Sequence, residues 1–508
     1  MLSKTYSLGI VGVDAIVVEV EVDLMKGLPG FSIIGLPDSV IKESKDRIRS
    51  AIENSGFEFP PRNFIVNLAP AGFKKQGANF DLSIALAILH STNQTEFNPA
   101  AIPMAGELSL TGEVRPVRGA IAMAITLYRN GFKKLIVPYE NRNEACAVSE
   151  IEIYPVKTLE DVIAVFEGRI PVYTPDRSSD WDDPVPDNYP DFSEVCGQES
   201  VKRAVEIAAA GHHNLLMYGP PGAGKSMIAK CIPGILPRLS RDKSIETTMV
   251  HSIGGKLNYG DGLISLPPFR TPHHTASDIA LVGGGKIPGV GEITLAHNGV
   301  LFMDEFIEFK NNVLQALRQP LEDNFITVSR AAGTVSFPAD FMLVASSNPC
   351  QCGFLFDEDV ECKCTPMQIK KYFSKIAGPI LDRFDIEVYV PRVAYRQLMG
   401  KIESEKSLHI KRRVEKAREI QLSRFGENGP EVNSRMSSAM VKKYCYVDEH
   451  DSSFLSNAMK RMNLSPRSFF RILKVSRTIA DIEGEREVQK SHILEALSYK
   501  SLNRYYDV

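Results

Sequence analysis

The sequence predicts a multidomain α/β protein, with an α+β domain first, an α/β core that binds a phosphate-bearing ligand second, and a helical domain last. Three observations lead there. The 508 residues exceed one ordinary domain. An apolar run breaks into a glycine-rich loop and then a helix at 214–232, and after Asp385 the pattern turns helical. The composition, 44% hydrophobic and 24% charged, is that of a globular protein. A formal charge of −3 gives no chain-wide case for nucleic acid, so any basic binding surface must be local. No apolar signal segment opens the chain and no run approaches the ~18 apolar residues of a membrane span, which predicts a cytoplasmic protein with no membrane partner.

Residues 1–172 form the first predicted domain. Ile10 to Val22 is rich in β-branched residues, and Ser39 to Asn54 places Val40, Ile41, Ile48, Ala51 and Ile52 at helical spacing. Phe80 to Leu89 reads as a buried helix and Lys134 to Pro138 as a buried strand end. Residues 173–192 are rich in proline and aspartate with little to bury, as in a linker, and Trp181 is expected to dock it onto a neighbouring domain. The core is predicted over 193–392 and opens with a helical segment, Gln198 to Ala210. In the last domain, 393–508, Arg396 to Phe425 sets Lys411, Arg412 and Arg418 against Glu415 and Glu419 as on a solvated helix face, and Ser468 to Ile482 is amphipathic.

The core carries the chemistry. Gly219-Pro220-Pro221-Gly222-Ala223-Gly224-Lys225-Ser226 follows an apolar strand and opens a helix. Its glycines let successive N–H groups face phosphate oxygens, Lys225 supplies a point charge, and Ser226 offers a hydroxyl to Mg²⁺. A second apolar strand, Gly299 to Met303, ends in Asp304 and Glu305. That pair suits ATP hydrolysis, with Asp304 holding the water shell of Mg²⁺ and Glu305 polarising the attacking water. A third strand, Phe341 to Ser347, ends in Asn348, which either orients that water or is a turn asparagine before Pro349. Arg383 and Arg467 each stand near a helix boundary, where an arginine can reach the γ-phosphate of a neighbouring subunit.

Two resemblances add to this. Met104-Ala-Gly-Glu-Leu-Ser-Leu-Thr-Gly-Glu-Val-Arg-Pro-Val-Arg-Gly119, followed by Ile136 to Asn141, resembles the proteolytic domain of Lon, of the ribosomal S5 domain 2-like type. Where Lon has its nucleophilic serine this chain has Gly77-Ala-Asn-Phe-Asp81, and Lon's lysine falls in Val117-Arg-Gly-Ala-Ile-Ala-Met123. The resemblance therefore implies a Lon-like fold that is not a protease, with Ser83 a plain helix residue. The core's spacings resemble AAA+ ATPases of the branch that holds magnesium-chelatase motor subunits and MCM helicases. That implies a parallel sheet, ATP and Mg²⁺, with Asn348 as sensor 1, Arg383 as the arginine finger and Arg467 as sensor 2.

Gly27 to Ser39, Pro268 to Ser277 and Gly291 to Val300 are similar to the YifB/ComM family of Mg-chelatase-like ATPases, tied to natural transformation. This resemblance implies a homohexameric ring that acts as a helicase on branched or single-stranded DNA, promoting branch migration in homologous recombination. A chelatase-type motor subunit and a nucleotide-gated protein-remodelling scaffold are the rival readings. In the helicase relatives two insertions enter the ring channel. Here they correspond to Thr271 to Gly291, with Lys286 at its tip, and to a hairpin over Phe325 to Phe337, with Arg330 either a DNA phosphate contact or an unpartnered surface arginine. His273 and His274 are expected in structural or loop roles rather than on a metal. Cys350, Cys352, Cys362 and Cys364 form two Cys-x-Cys pairs in a loop, suited to a structural Zn²⁺, with reduced thiols or redox pairs as alternatives. Cys146, Cys196, Cys231 and Cys445 are expected to be buried.

Overall fold

A computed structural model describes residues 2–175, 189–285, 289–330, 333–375, 380–393, 404–426, 429–446, 455, 462, 465–500 and 502. The amino-terminal sheet joins β1 (Leu2–Val11), β2 (Asp14–Met25), β3 (Gly30–Ile34) and β4 (Asn63–Ala69) in the order β1-β2-β4-β3, antiparallel except for β3 with β4. The β-branched stretch from Ile10 to Val22 thus spans the end of β1, a turn and most of β2. Gly12 makes that turn with a φ of +67°, in the left-handed region. Val18, Val20 and Val22 bury their side chains on one face of β2, as the two-residue period requires. Helix Asp81–Ser91 covers that face, and helix Ser39–Asn54 packs beside it, beginning where the Asp38 carboxylate accepts the Ile41 N–H at 2.9 Å. Helix Asp81–Ser91 is buried along nearly its whole length. Two short pairs complete the unit, β5 (Glu107–Leu108) with β6 (Val114–Arg115), and β7 (Lys134–Pro138) parallel to β8 (Glu152–Val156).

The core is a five-stranded, wholly parallel sheet in the order β10-β11-β14-β9-β15, built from β9 (Leu215–Tyr218), β10 (Phe269–Arg270), β11 (Val300–Met303), β14 (Met342–Ser347) and β15 (Ile386–Tyr389). Both faces are covered. Leu215, Met217, Val300, Phe302, Met342 and Val344 pack towards helix Glu199–Gly211 and the carboxyl-terminal helices, whereas Leu216, Leu301, Met303, Leu343 and Ala345 pack against Phe306, Val313 and Phe384. This is why the strands read as unbroken apolar runs. Between β11 and β14, β12 (Phe325–Arg330) and β13 (Gly333–Pro338) form the expected antiparallel hairpin.

The carboxyl-terminal helices Ser407–Phe425, Pro466–Glu483 and Lys490–Ser498 share one apolar cluster with the sheet. The helix expected from Arg396 begins only at Ser407, since Ser404 to Lys406 are not helical; residues 394–403 lie outside the described part. Its basic residues are not all solvated. Arg413 meets Glu206 and Glu405, and Arg418 donates to the Ala209 carbonyl at 2.7 Å. Of the four scattered cysteines only Cys231 and Cys445 are buried; Cys146 and Cys196 are partly exposed. Trp181 lies outside the described residues, but the linker's two ends are tied, Tyr173 to the Ile153 carbonyl and Phe192 to the Ser407 hydroxyl.

The first unit is docked on the core through helix Arg241–Ile253. Ile245, Met249 and Ile253 pack into its apolar cluster, Gly119 N–H donates to Ser252 Oγ at 2.8 Å, and Asn143 donates to the Gly260 carbonyl at 2.7 Å. The β1–β2 turn also meets the hairpin, where a side chain on Gly12 would collide with Val335.

At the amino ends of the strands Asn214 uses every polar atom. Its Oδ1 accepts the Leu343 N–H, its Nδ2 donates to the Arg383 carbonyl, its N–H donates to Asp385 Oδ2, and its carbonyl accepts from Asp385 and Ile386. Asn214→Ala should strand the Leu343 N–H, while the Arg383 carbonyl keeps the Arg471 guanidinium at 2.9 Å, and lower stability by roughly 1–3 kcal/mol. A urea midpoint equal to that of the parent would show that Asn214 does not hold the sheet.

Candidate nucleotide site

The site lies where β9, β11 and β14 end. Gly222 and Gly224 take φ of +78° and +87°, which turns the loop tightly enough to start helix Lys225–Cys231. Gly219 is needed for a different reason: any side chain there would run into the Val390 carbonyl. Pro221, Gly222, Ala223, Gly224, Lys225 and Ser226 line a cavity of about 410 Å³ together with Asp304, Glu305, Ser346, Ser347 and Asn348. Gly219 and Pro220 contribute through their carbonyls, which accept from Lys225 Nζ at 2.7 and 2.9 Å. Asn348 Oδ1 stands 3.3 Å from the same ammonium. Burial brings Lys225 down to about 8, against the opposing pull of Asp304 and Glu305.

Ser226 Oγ donates to Asp304 Oδ2 at 2.6 Å, and the Ser346 hydroxyl donates to Asp304 Oδ1. A hydroxyl and a carboxylate so placed are the hard oxygen donors that suit Mg²⁺, and the lysine beside them suits phosphate. Glu305 takes a left-handed backbone, φ +53°, and its carboxylate is 56% exposed at the cavity mouth. His274 Nδ1 lies 2.9 Å from Glu305 Oε2, a contact that reading His273 and His274 as loop residues did not anticipate. Ser346 and Gln198 were likewise missed. Gln198 Nε2 donates to the Ala223 and Pro391 carbonyls at 3.0 and 2.6 Å and steadies the phosphate loop. Polar residues closing the apolar run before Asn348 were the available signal for Ser346; Gln198 left none.

Arg383 and Arg467 are not in this cavity. Arg383 follows the Asn214 staple at the opposite edge of the sheet, buried, its guanidinium on Glu322. Arg467 is 72% exposed, does not line the cavity and lies 3.6 Å from the same Glu322. The two arginines therefore converge with each other and stand apart from Lys225.

The four loop cysteines converge. Sγ separations are 3.3 Å for Cys350 and Cys352, 3.5 Å for Cys352 and Cys362, and 3.7 Å for Cys350 and Cys362, with Cys364 in the same cluster. A tetrahedron with metal–sulfur bonds of ~2.3 Å has edges of about 3.8 Å, so the donor set fits zinc. The loop abuts the phosphate loop, since a side chain on Gly353 would strike Pro221. The side chain of Arg330 and all of Lys286 lie outside the described residues. Ser83 is fully buried, its hydroxyl on the Phe80 carbonyl at 2.8 Å, so no peptide can reach it. No helix among the described residues is long and apolar enough to cross a membrane.

Because burial brings Lys225 down to about 8 and a polyanion raises it, ATP binding at pH 8 should take up about half a proton per chain. Calorimetry in two buffers of different ionisation enthalpy reads this directly. Zero net uptake would mean that Lys225 is fully charged before ATP arrives.

Comparison with known proteins agrees with this geometry. The family model described as magnesium chelatase, subunit ChlI, matches residues 191–398, that of subunit ChlI of Mg-chelatase matches 20–141, and that of the ChlI C-terminal region matches 404–500. The chain is 41% identical over 508 residues to competence protein ComM of Haemophilus influenzae, covering 99% of this chain and 98% of that one. It is 39% identical over 506 residues to the protein YifB of Escherichia coli, with 99% and 98% covered. A Lon protease of Trichlorobacter lovleyi is 27% identical over 171 residues, 31% of this chain and 21% of that protein. With the parallel sheet and the phosphate cavity at its edge, matches of this extent show that the chain belongs to the YifB/ComM family of magnesium-chelatase-like AAA+ proteins.

Proposed function

We propose that the protein is an ATP-hydrolysing DNA motor that works as a homohexamer and promotes branch migration. The observation that carries the reading is the division of the machinery between two edges of one sheet. Lys225, Ser226, Asp304, Glu305 and Asn348 meet at one edge, and Arg383 and Arg467 meet at the other. β9 alone has four residues, about 13 Å at ~3.3 Å each, so Arg383 is out of reach of its own phosphate loop. A complete site then needs a neighbour to bring the arginines, as a ring does.

In this reading the phosphate loop's N–H groups and Lys225 hold the β- and γ-phosphates. Ser226 and Asp304 would hold Mg²⁺, which neutralises phosphate charge when bound. Glu305 accepts the proton of the water that attacks the γ-phosphorus, Asn348 fixes that water, and the bond to the bridging oxygen breaks to leave ADP and phosphate. Arg383 and Arg467 of the adjoining subunit stabilise the charge that develops. Arg330 and Lys286, on the two insertions, contact the DNA backbone and not its bases. Support for DNA comes from the family and from the Haemophilus relative's name as a competence protein. The first unit is a Lon-like module without peptidase chemistry, and the cysteine loop holds one structural zinc.

Arg383→Ala and Glu305→Gln should each cut hydrolysis at least ~10³-fold, and mixing the two should restore part of it, because some interfaces then combine an intact Glu305 with an intact Arg383. No recovery on mixing would remove the shared site. Branched DNA, and not protoporphyrin, should stimulate the ATPase; stimulation by the porphyrin alone would favour the chelatase-type motor, and by neither the remodelling scaffold. Protein purified without chelator should carry about one zinc per chain, and metal analysis showing none rejects that site.

A further inference from the structure

Lys225, Asp304 and Asn348 gather at the carboxyl ends of the core strands, and a second cavity lies at the opposite ends. It has a volume of about 210 Å³ and is bordered by the stretches that enter β10, β11 and β14, by the loop after the phosphate-loop helix, and by helix Ser407–Phe425. Its wall is largely apolar. Leu236, Leu239 and Val432 are buried there, with Pro237, Pro267 and Leu422 around them. Size restricts what can enter. A cavity of ~150 Å³ takes one benzene ring, so this one takes a single ring or a short chain carrying one small polar group.

The charges on this wall do not cancel. Lys243 is paired with Glu431, and Asp340 with Arg435, which engages both acids that line the cavity and leaves Arg238 and Arg418. Arg238 donates to the Ser265 hydroxyl at 3.2 Å and meets no carboxylate among the described residues. Arg418 Nη2 donates to the Ala209 carbonyl at 2.7 Å, but its Nε is buried and has no acceptor among the described residues. Burial brings Arg418 down to about 10, against the opposing pull of Glu431 and Asp340, so its charge is incompletely met. His212 adds no charge, because burial holds its imidazole well below the usual range although Asp340 lies 3.8 Å away. The amino end of helix Arg241–Ile253, capped by Ser240, borders the same space and contributes a positive partial charge. Unmet donors and positive charge beside an apolar wall are the complement of an amphipathic anion.

We propose that this cavity is a binding site for a small aromatic or short-chain monocarboxylate, with the carboxylate on the Arg418 guanidinium and the apolar body against Leu239 and Leu422. A neutral molecule of the same shape cannot meet the guanidinium's charge, and a bare small anion leaves the apolar wall uncovered, so both bind more weakly. Arg418 and Leu422 belong to the carboxyl-terminal helices, whereas Leu239 and Asp340 belong to the core. An occupant therefore adds a contact between the two parts.

The test uses the full-length protein and ligand-detected NMR titrations with sodium benzoate, benzyl alcohol and sodium acetate, the ionic strength held level with sodium chloride. Benzoate should bind with a Kd of about 1 mM or tighter, and benzyl alcohol and acetate each at least ~5-fold more weakly. Arg418→Met keeps an apolar stem and removes the donors, and should weaken benzoate at least ~10-fold while leaving benzyl alcohol within about twofold. Leu422→Trp changes a residue that is 49% exposed, leaves the cations in place and narrows the cavity, so it should weaken benzoate and benzyl alcohol alike. If Arg418→Met does not fold, Leu422→Trp decides. Absence of benzoate binding to the parent, an affinity for benzyl alcohol or acetate equal to that for benzoate, or parental benzoate affinity in either folded variant overturns the proposal.

Discussion

Asn214 holds β14, β9 and β15 level at their amino ends, and the nucleotide cavity inherits its shape from that alignment. Leu215 lies opposite Val344 on one side and Ile386 on the other, so Tyr218 faces Ser347 and Tyr389 when the strands finish. The loops leave the sheet at one height as a result. Buried parallel strands admit few polar side chains, and the chemistry emerges at and just beyond their last residues, with Ser346 and Ser347 closing β14. Asp304 follows Met303 immediately, and Gly219 follows Tyr218. The same amide that fixes the register holds the Arg383 carbonyl, which commits that arginine to the far edge.

The carboxyl-terminal helices and the amino-terminal unit are joined to this sheet in different ways. The helices share its apolar cluster; Asp481 with Arg424 and Arg477 pins two of them to each other, and Lys500, just after the last, pairs with Glu387 of β15. Removing one partner of the Lys500–Glu387 pair leaves an uncompensated buried charge, which ties the end of the helical part to the sheet. The amino-terminal unit meets the core over one helix and the loop after it, and over the hairpin through Gly12 and Val335. A cleft of about 680 Å³ lined by both units lies at this junction.

The cysteine loop has a consequence for the nucleotide site that its spacing in the chain conceals. It begins two residues after Asn348, and Gly353 packs on Pro221. A loop of this kind has little core of its own, and four convergent thiols supply what packing does not. Whatever holds the thiols together therefore also braces Asn348 and the phosphate loop against each other.

Elements whose reason is local were legible in the chain. The phosphate loop, the acidic pair, the hairpin and the buried helix at Asp81–Ser91 each carry their own signal of glycine spacing, apolar period or turn residues, because the physics that forms them acts over a few residues. The two Cys-x-Cys pairs announced a cluster in the same manner. The start of the helix at Ser407 was misread, since charge spacing runs across it, and β-branched content does not mark the turn at Gly12. What only the tertiary structure decided is where separate segments meet. Asn214, Glu322 and His274 act on partners 31 to 171 positions away, and nothing in their neighbouring residues marks them. Whether an arginine serves its own nucleotide or a neighbour's depends on which edge of a folded sheet it occupies, and that edge exists only once five strands from across the core have paired.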